Sequence, residues 1–192
     1  MEEFKKDLPT AEQLSSEMRR INYRRNYART LYTTISSLIV VAAIAVLITQ
    51  LLTPVLKVTG TSMTPTLFND ELLICNKRSG FENGDVVAFY FNNKILLKRV
   101  IGKAGDVIDI SEDGTVYLNG EELDEPYISE KAFGECDIKL PYQVPDNRVF
   151  VMGDHRSVSI DSRSTSVGCI ADEYIIGKVI FRIWPFEVIG TV

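Results

Sequence analysis

Hydrophobic residues follow two different patterns along this chain of 192 residues. Residues 30–56 carry no charged side chain, and residues 35–52 within them are almost all apolar. A helix of this length and composition can cross a bilayer core of about 30 Å. From Lys57 onward, short runs alternate apolar and polar residues and are separated by turn residues, which predicts β-strands. The pattern therefore predicts one transmembrane helix (30–56) followed by a mostly β, antiparallel domain (57–192).

The alternating runs predict seven strands, at residues 71–76, 85–91, 95–102, 107–111, 115–119, 148–152 and 174–184. Asn92-Asn93 and Asp113-Gly114 are typical of tight hairpin turns, because Asn and Gly tolerate positive φ. Residues from about 120 to 147 are polar and include three prolines. We therefore expect this segment to be an inserted loop region between strand pairs.

The distribution of charge indicates a topology. Residues 1–29 hold seven basic and five acidic residues, whereas residues 57–192 hold fourteen and twenty-one. The acidic body lacks the clustered basic residues that bind polyanions, so we expect no nucleic-acid partner. Five arginines lie between Arg19 and Arg29, and positive charge favours the cytoplasmic end of a membrane span. We therefore expect a basic cytoplasmic segment (1–29), a single-pass anchor in the cell membrane and an extracytoplasmic body.

Two alternatives to an anchor are a cleaved signal peptide and a helix buried in a soluble core. A signal peptide has a shorter apolar stretch that is followed by a cleavage site of small residues, which residues 50–55 do not provide. A buried helix needs other long helices against which to pack, and the pattern predicts none. An anchor is the better interpretation.

Composition restricts the chemistry. His155 is the only histidine, which excludes a zinc site of several histidines and a relay of two. Cys75, Cys136 and Cys169 show no C-x-x-C spacing and leave at least one thiol unpaired. We therefore expect no metal site and no cofactor, and the chemistry has to come from other residues.

Ser62 and Lys98 are candidates for a nucleophile and its base. Ser62 lies ten residues after Leu52, close to the predicted membrane surface, and a serine nucleophile needs a base. Strand alternation places Lys98 on one face with Leu96 and Val100. Removal of an ammonium from water favours its neutral form, which is how a lysine becomes a base near neutral pH. The strand pattern alone favours a simpler interpretation, in which the amine reaches solvent at a sheet edge.

The third candidate segment is a dense polar turn that follows the strand at 148–152. Asp161 and Arg163 can pair in it, and the Ser159 hydroxyl can hydrogen-bond a buried amine. An ordinary polar turn with an exposed ion pair remains the alternative, and such a pair contributes only about 0–1 kcal/mol.

Together and in this order, the three segments resemble the bacterial type I signal peptidases, the membrane-anchored Ser-Lys endopeptidases that cut signal peptides from exported proteins. Residues 62–67 are similar to the family's S-M-x-P-T-L box, and residues 98–106 to its K-R-V-I-G-x-x-G-D box. Residues 153–163 are similar to its G-D-N-R-x-x-S-x-D-S-R box. The fold that this resemblance implies is a coiled antiparallel β-sheet structure behind the N-terminal helix.

The resemblance implies a role for each matched residue. Ser62 would be the nucleophile and Lys98 the general base. Ser159 would orient the lysine, and Asp161 and Arg163 would brace the turn that holds Ser159.

The resemblance also implies the substrates and partners. These are the signal peptides of preproteins, with small side chains at the first and third positions before the cut, together with the lipid bilayer and a location near the secretion translocon. Met63 would line shallow pockets for the small side chains. Gly60 occupies the position at which some members carry a serine that helps to bind the oxyanion, and His155 replaces an asparagine of the common box.

Other functions remain open at this point. One is an anchored β-domain that binds exported peptides without cutting them, and another is a family variant that processes pilus subunits. A third is a conventional hydrolase with a triad of Ser62, His155 and Asp154. This triad is awkward, because adjacent residues on a strand point to opposite faces.

Overall fold

The computed structural model describes residues 9–77 and 79–192, without the side chains of residues 48–52. Lys5 and Lys6 of the predicted basic segment lie outside the described residues. The chain divides between Thr49 and Gln50 into two compact units.

The first unit is formed by a helix, α1 (Ala11–Leu52). Its N-terminus carries a capping box: the Gln13 backbone N–H donates to Thr10 Oγ1 over 3.3 Å, and the Thr10 N–H donates to Gln13 Oε1 over 3.0 Å. The helix ends just before Thr53, because the following Pro54 disfavours helical backbone in the residue that precedes it. Helix α1 therefore includes most of the uncharged stretch at residues 30–56 and begins well before it.

The early start of α1 has a simple reason. We did not predict a helix over residues 11–29 because polar and charged side chains dominate them, but they contain neither glycine nor proline, and an i,i+3 ion pair joins Glu17 and Arg20 over 3.2 Å. By length and composition α1 can span a membrane: its most apolar window has a mean hydropathy of 2.1, and none of that window is buried.

The described residues of the second unit form twelve strands in chain order. They are β1 (Val55–Lys57), β2 (Leu72–Asn76), β3 (Val86–Phe91), β4 (Lys94–Gly102), β5 (Val107–Ile110), β6 (Val116–Leu118), β7 (Glu121–Glu122), β8 (Tyr142–Gln143), β9 (Arg148–Met152), β10 (Ile170–Ala171), β11 (Ile175–Trp184) and β12 (Gly190–Thr191). Two short 3₁₀ helices span Asp172–Tyr174 and Phe186–Val188.

These strands form two antiparallel sheets. The larger has the order β1-β2-β11-β3-β4-β9-β10, with β12 beside β11, and the smaller has the order β7-β6-β5-β8. The predicted class, mostly antiparallel β behind one N-terminal helix of membrane-spanning length, is confirmed. Each of the seven predicted strands is found within one residue of its predicted limits. The sequence pattern missed β1, β7, β8, β10 and β12, because two or three residues are too few to show a period of two.

The hairpin turns follow their predicted chemistry. Asn92 and Asn93 connect β3 to β4 with φ of 46° and 60°, and Gly114 has φ of 87°. Such positive φ values are costly for most residues, but asparagine and glycine adopt them readily. The antiparallel pairing of β3 with β4 extends from Phe91 and Lys94 to Val86 and Arg99.

Residues 120–147 carry β7 and β8 and otherwise turns and irregular backbone. The sequence predicted a polar loop segment, but several of its side chains pack against the apolar core. Val144 is buried, and five further side chains pack on the same apolar cluster, which lies around Ile108 and Phe150: Leu123, Phe133, Ile138, Leu140 and Tyr142. These side chains have no regular spacing, so the pattern did not reveal that the segment covers part of the core.

Strand β4 carries Lys98 into the interior. It pairs with β3 from Lys94 to Arg99, whereas its pairing with β9 begins only at Arg99. Leu96 and Val100 belong to one apolar cluster and Leu97 to another, as alternation predicts. Lys98 is only 4% exposed, so the interpretation in which its amine reaches solvent at a sheet edge is wrong.

Candidate active site

The Lys98 amine is buried and bound to a hydroxyl. Its Nζ donates to Ser159 Oγ over 2.9 Å, from β4 to the turn that follows β9. Burial lowers the pKa of Lys98 from its usual 10.5 to about 8, although the nearby Asp161 carboxylate acts in the opposite direction. A substantial fraction of this amine is therefore neutral close to physiological pH, as a general base requires.

At Lys98, the effect of burial on the pKa outweighs the attraction of nearby carboxylates, because the buried carboxylates already have partners. Every buried carboxylate in residues 9–77 and 79–192 forms an ion pair with an arginine: Glu71 with Arg182, Glu125 with Arg156, Asp154 with Arg99, and Asp161 with Arg163. No carboxylate in that group is left to neutralise an ammonium at Lys98. The amine is therefore bound by a neutral hydroxyl in a site that disfavours its charge.

The buried lysine should reduce stability, and the effect should depend on pH. Below about pH 8 the folded state holds a charged, desolvated ammonium, whereas above the unfolded pKa of 10.5 both states are neutral. We expect Lys98→Met to raise the free energy of unfolding by about 1–3 kcal/mol near pH 7. This gain should shrink as the pH rises through the folded pKa toward the unfolded one. Thermal melts of the full chain in detergent at several pH values test this, and a pH-independent difference would contradict it.

The turn that holds Ser159 is closed by Asp161 and Arg163. Arg163 donates through Nε and Nη2 to the two carboxylate oxygens of Asp161, each over 2.9 Å. The same Nη2 donates to the Ser159 carbonyl over 3.3 Å, and Asp161 Oδ2 accepts from the Gly153 N–H over 2.9 Å. Both ends of the turn are thus bound to one buried ion pair.

Gly153 connects this turn to Ser62. A Cβ at Gly153 would lie 2.2 Å from Ser159 Oγ and 2.5 Å from the Ser62 carbonyl oxygen. The Ser62 carbonyl also accepts from the His155 N–H over 3.1 Å. The absence of a side chain at Gly153 therefore allows the backbone of Ser62 and the hydroxyl that binds Lys98 to approach the same point.

The contacts of His155 and Asp154 do not form a triad. The Asp154 carboxylate accepts from Arg99 Nε over 2.9 Å and from Thr66 Oγ1 over 2.5 Å. His155 Nδ1 lies 3.0 Å from Thr64 Oγ1, whose own hydrogen goes to the Thr61 carbonyl over 2.9 Å. Nδ1 also lies 3.3 Å from the Thr61 carbonyl, so its contacts are to a hydroxyl and a backbone carbonyl and not to a carboxylate.

A groove of about 220 Å³ lies beside Ser62. Its walls are the extended segment that includes β1 and the first residues of β4: Val55, Leu56, Lys57, Val58, Thr59, Gly60, Met63, Ile95, Leu96 and Leu97. Met63 is 3% exposed and forms the floor of the groove as part of the core. Gly60 has φ of 91°, and its N–H donates to Asn69 Oδ1 over 2.9 Å. A side chain there would meet open space but would need a strained backbone.

Sequence reasoning missed several buried charges around the site. Arg99 binds Asp154 with a second bond of 2.6 Å from Nη2, and Arg156 pairs with Glu125. Arg99 shares one face of a predicted strand with the aliphatic Leu97 and Ile101. This pattern indicated that its guanidinium is buried. Glu125 gave no such signal, because it lies in a polar loop segment.

Comparison with known proteins identifies the family. The family model "Signal peptidase, peptidase S26" matches residues 31–184. Signal peptidase IB of Staphylococcus aureus is 39% identical over 148 residues, which cover 67% of this chain and 76% of the relative. Signal peptidase I of Bacillus licheniformis is 35% identical over 175 residues, which cover 84% of this chain and 93% of the relative.

A solved structure, that of a signal peptidase I from Enterococcus faecalis V583, has a TM-score of 0.45 and 26% identity over 52% of this chain and 97% of its own. The family assignment rests on the sequence matches, since the family model covers most of the chain. The chain belongs to the signal peptidase family, peptidase S26, and is a serine peptidase.

Proposed function

We propose that this protein is a membrane-anchored endopeptidase that cleaves signal peptides from exported preproteins, with Ser62 as the nucleophile and Lys98 as the general base. The observation that carries the proposal is the burial of Lys98, whose amine is bound by Ser159 Oγ over 2.9 Å and has no free carboxylate beside it. A buried lysine is costly to a fold unless its neutral form is used. A module that only binds peptides has no need of one.

The mechanism follows from these groups. Neutral Lys98 accepts the hydroxyl proton of Ser62 while Oγ attacks the scissile carbonyl. The Lys98 ammonium then protonates the leaving amine, and the acyl group stays on Ser62 as an ester. Lys98 next removes a proton from the water that attacks this ester and passes it to Ser62 Oγ as the ester bond breaks and the carboxylic acid leaves. The backbone N–H of Ser62 is the candidate donor to the oxyanion, and Ser159 keeps the amine directed at the reaction.

The groove supports the choice of substrate. Residues Ile95, Leu96 and Leu97 of β4 pair with β3 on one side, and no described strand pairs with their other side. An extended peptide can add there as a further strand, because the exposed backbone groups offer the hydrogen bonds. The preference for small side chains such as alanine before the cut is carried over from the family, and Met63 lines the groove in which these side chains would lie.

Cleavage of a preprotein tests the proposed function. The full chain in detergent is incubated with a preprotein that carries alanine at the first and third positions before the expected cut, and the new N-terminus is sequenced. We expect cleavage directly after the first of these positions and its loss when phenylalanine replaces either alanine. A preprotein that remains intact, or a cut elsewhere that ignores these positions, would contradict the proposal.

The membrane topology belongs to the same proposal. The uncharged stretch behind the arginines supports an anchor that leaves residues 1–29 in the cytoplasm and residues 57–192 outside. Protease added to spheroplasts should digest the β unit and spare a tag placed on the N-terminus. Protection of the β unit together with loss of the tag would reverse the orientation and separate the site from translocated substrates.

A further inference from the structure

Two residues of the 120–147 segment contact arginines of the site. Glu125 accepts from Arg156 through both carboxylate oxygens, with Nη1 lying 2.9 Å from Oε2. The Tyr127 hydroxyl donates to Glu125 Oε1 over 2.9 Å, and the Tyr127 ring lies 3.9 Å from Arg99 Cζ. Glu125 and Tyr127 therefore join the two arginines into one connected group.

The two arginines reach adjacent residues. Arg156 Nε donates to the Gly153 carbonyl over 3.0 Å. Arg99 binds Asp154 through Nε and Nη2, over 2.9 and 2.6 Å. Gly153 is the residue that contacts both the Ser62 carbonyl and the Ser159 hydroxyl. The contacts of the segment thus converge on the backbone that brings the candidate nucleophile and base together.

The group is buried and its charges are matched. Arg156 is 0% exposed and Glu125 is 9% exposed, so the loss of one partner would leave a desolvated charge. Burial raises the pKa of the Tyr127 hydroxyl, with the nearby Glu125 carboxylate acting in the same direction, so the phenol stays a hydrogen-bond donor. The stacking of Tyr127 on Arg99 adds an attraction that a desolvated site strengthens.

Neither residue lines the substrate groove. The walls of the groove come from β1, the residues that follow it, and the start of β4. A change at Glu125 or Tyr127 should therefore alter the geometry of the reacting groups more than it alters peptide binding.

We propose that Glu125 and Tyr127 are positioning residues, which act through Arg156 and Arg99 to hold Gly153 and Asp154. In this way they keep Ser62 and the Lys98–Ser159 pair in reactive geometry. The inference rests on the proposed function for the roles of Ser62 and Lys98.

Three tyrosine variants of the full chain test the proposal by kinetics. Tyr127→Leu removes both the ring and the hydroxyl, and we expect kcat to fall about 10–100-fold with KM within about twofold. Tyr127→Phe keeps the ring over Arg99 and should recover most of kcat. Tyr117→Leu makes the same change on β6, at a half-exposed tyrosine outside this group, and should behave like the unaltered protein.

A second readout needs no cleavage. In a Ser62→Ala background, the pH dependence of Lys98 acetylation is followed by mass spectrometry. The midpoint should lie near 8 in this parent protein, because the amine is buried. In the Tyr127→Leu variant it should move toward 10.5, since a loosened turn admits water to the amine. Tyr117→Leu should leave the midpoint in place.

The outcomes separate this inference from the proposed function. An unchanged kcat and an unchanged Lys98 midpoint in folded Tyr127→Leu would overturn the positioning role. If that variant does not fold, Glu125→Gln takes its place with the same two readouts. Absence of cleavage by the unaltered protein would count against the proposed function, whereas the Lys98 midpoint would still decide whether Tyr127 positions the lysine.

Discussion

Alanine at Ser62 or at Lys98 is expected to remove signal-peptide cleavage and to leave the β unit folded. The first variant lacks the attacking oxygen, and the second lacks the group that accepts its proton. We expect kcat to fall by about 10⁴-fold or more in each, and the double variant to be hardly worse, because the two side chains act as a unit. Lys98→Arg should also fail, since a guanidinium stays protonated.

Matched controls exist in the same elements. Lys94→Ala removes an exposed lysine from the start of β4, and Ser157→Ala removes an exposed serine from the turn that holds Ser159. Both should cleave at nearly the normal rate. Near-normal turnover of the Ser62 or the Lys98 alanine variant would exclude the dyad.

Gly153→Ala should also lower activity strongly, although it removes no functional group. The added methyl would lie 2.2 Å from Ser159 Oγ and 2.5 Å from the Ser62 carbonyl, far inside van der Waals contact. The turn and the Ser62 segment would have to move apart, and a displacement of about 1 Å can cost about 100-fold in rate. We therefore expect kcat to fall at least about 100-fold, with circular dichroism that still reports a folded β unit.

Gly80→Ala is the control for this change. A Cβ at Gly80 meets nothing within 4 Å, and its φ lies outside the positive range, so alanine should fit there. Its activity should match that of the unaltered protein. Full activity of Gly153→Ala would mean that the approach of Ser62 to Ser159 is not needed for the reaction.

The sequence was sufficient to predict the larger elements, because their patterns are local. Strands such as β3 and β4 show a period of two, and the turn at Asn92 and Asn93 has the residues that positive φ favours. The capping box at Thr10 and Gln13 was also readable, yet we did not predict a helix there, since polar and charged side chains dominate the segment. Very short strands such as β1 form only because a neighbouring strand is already in place.

The site was only partly predictable. The resemblance of its three segments to the family's boxes gave the candidate residues and implied the contact of Ser159 with Lys98, but the strand pattern did not show that Lys98 would be buried. Burial depends on which carboxylates already have partners, and apart from Asp161 and Arg163 those partners lie far apart in the sequence. Glu125, for example, is 31 residues from Arg156. Only the fold shows that each buried carboxylate among the described residues forms an ion pair with an arginine.

The identity of the base can be tested directly because the chain has one histidine. In His155→Asn the side-chain amide, which can both donate and accept, can replace the contact of Nδ1 with Thr64 Oγ1, so the turn should keep its geometry. Asparagine cannot accept a proton from the nucleophile. The variant therefore retains the local hydrogen bond and removes the only base on which the alternative triad depends.

The decisive measurement is the pH dependence of kcat/KM for a signal-peptide substrate, recorded for the unaltered protein and for His155→Asn. If Lys98 is the general base, kcat/KM should rise with pH around a midpoint near 8, which is set by the buried Lys98 amine. The variant should show the same rise at a similar rate. A fall in kcat/KM of several orders of magnitude in His155→Asn, together with the loss of this rise with pH, would contradict Lys98 as the base and assign that role to His155.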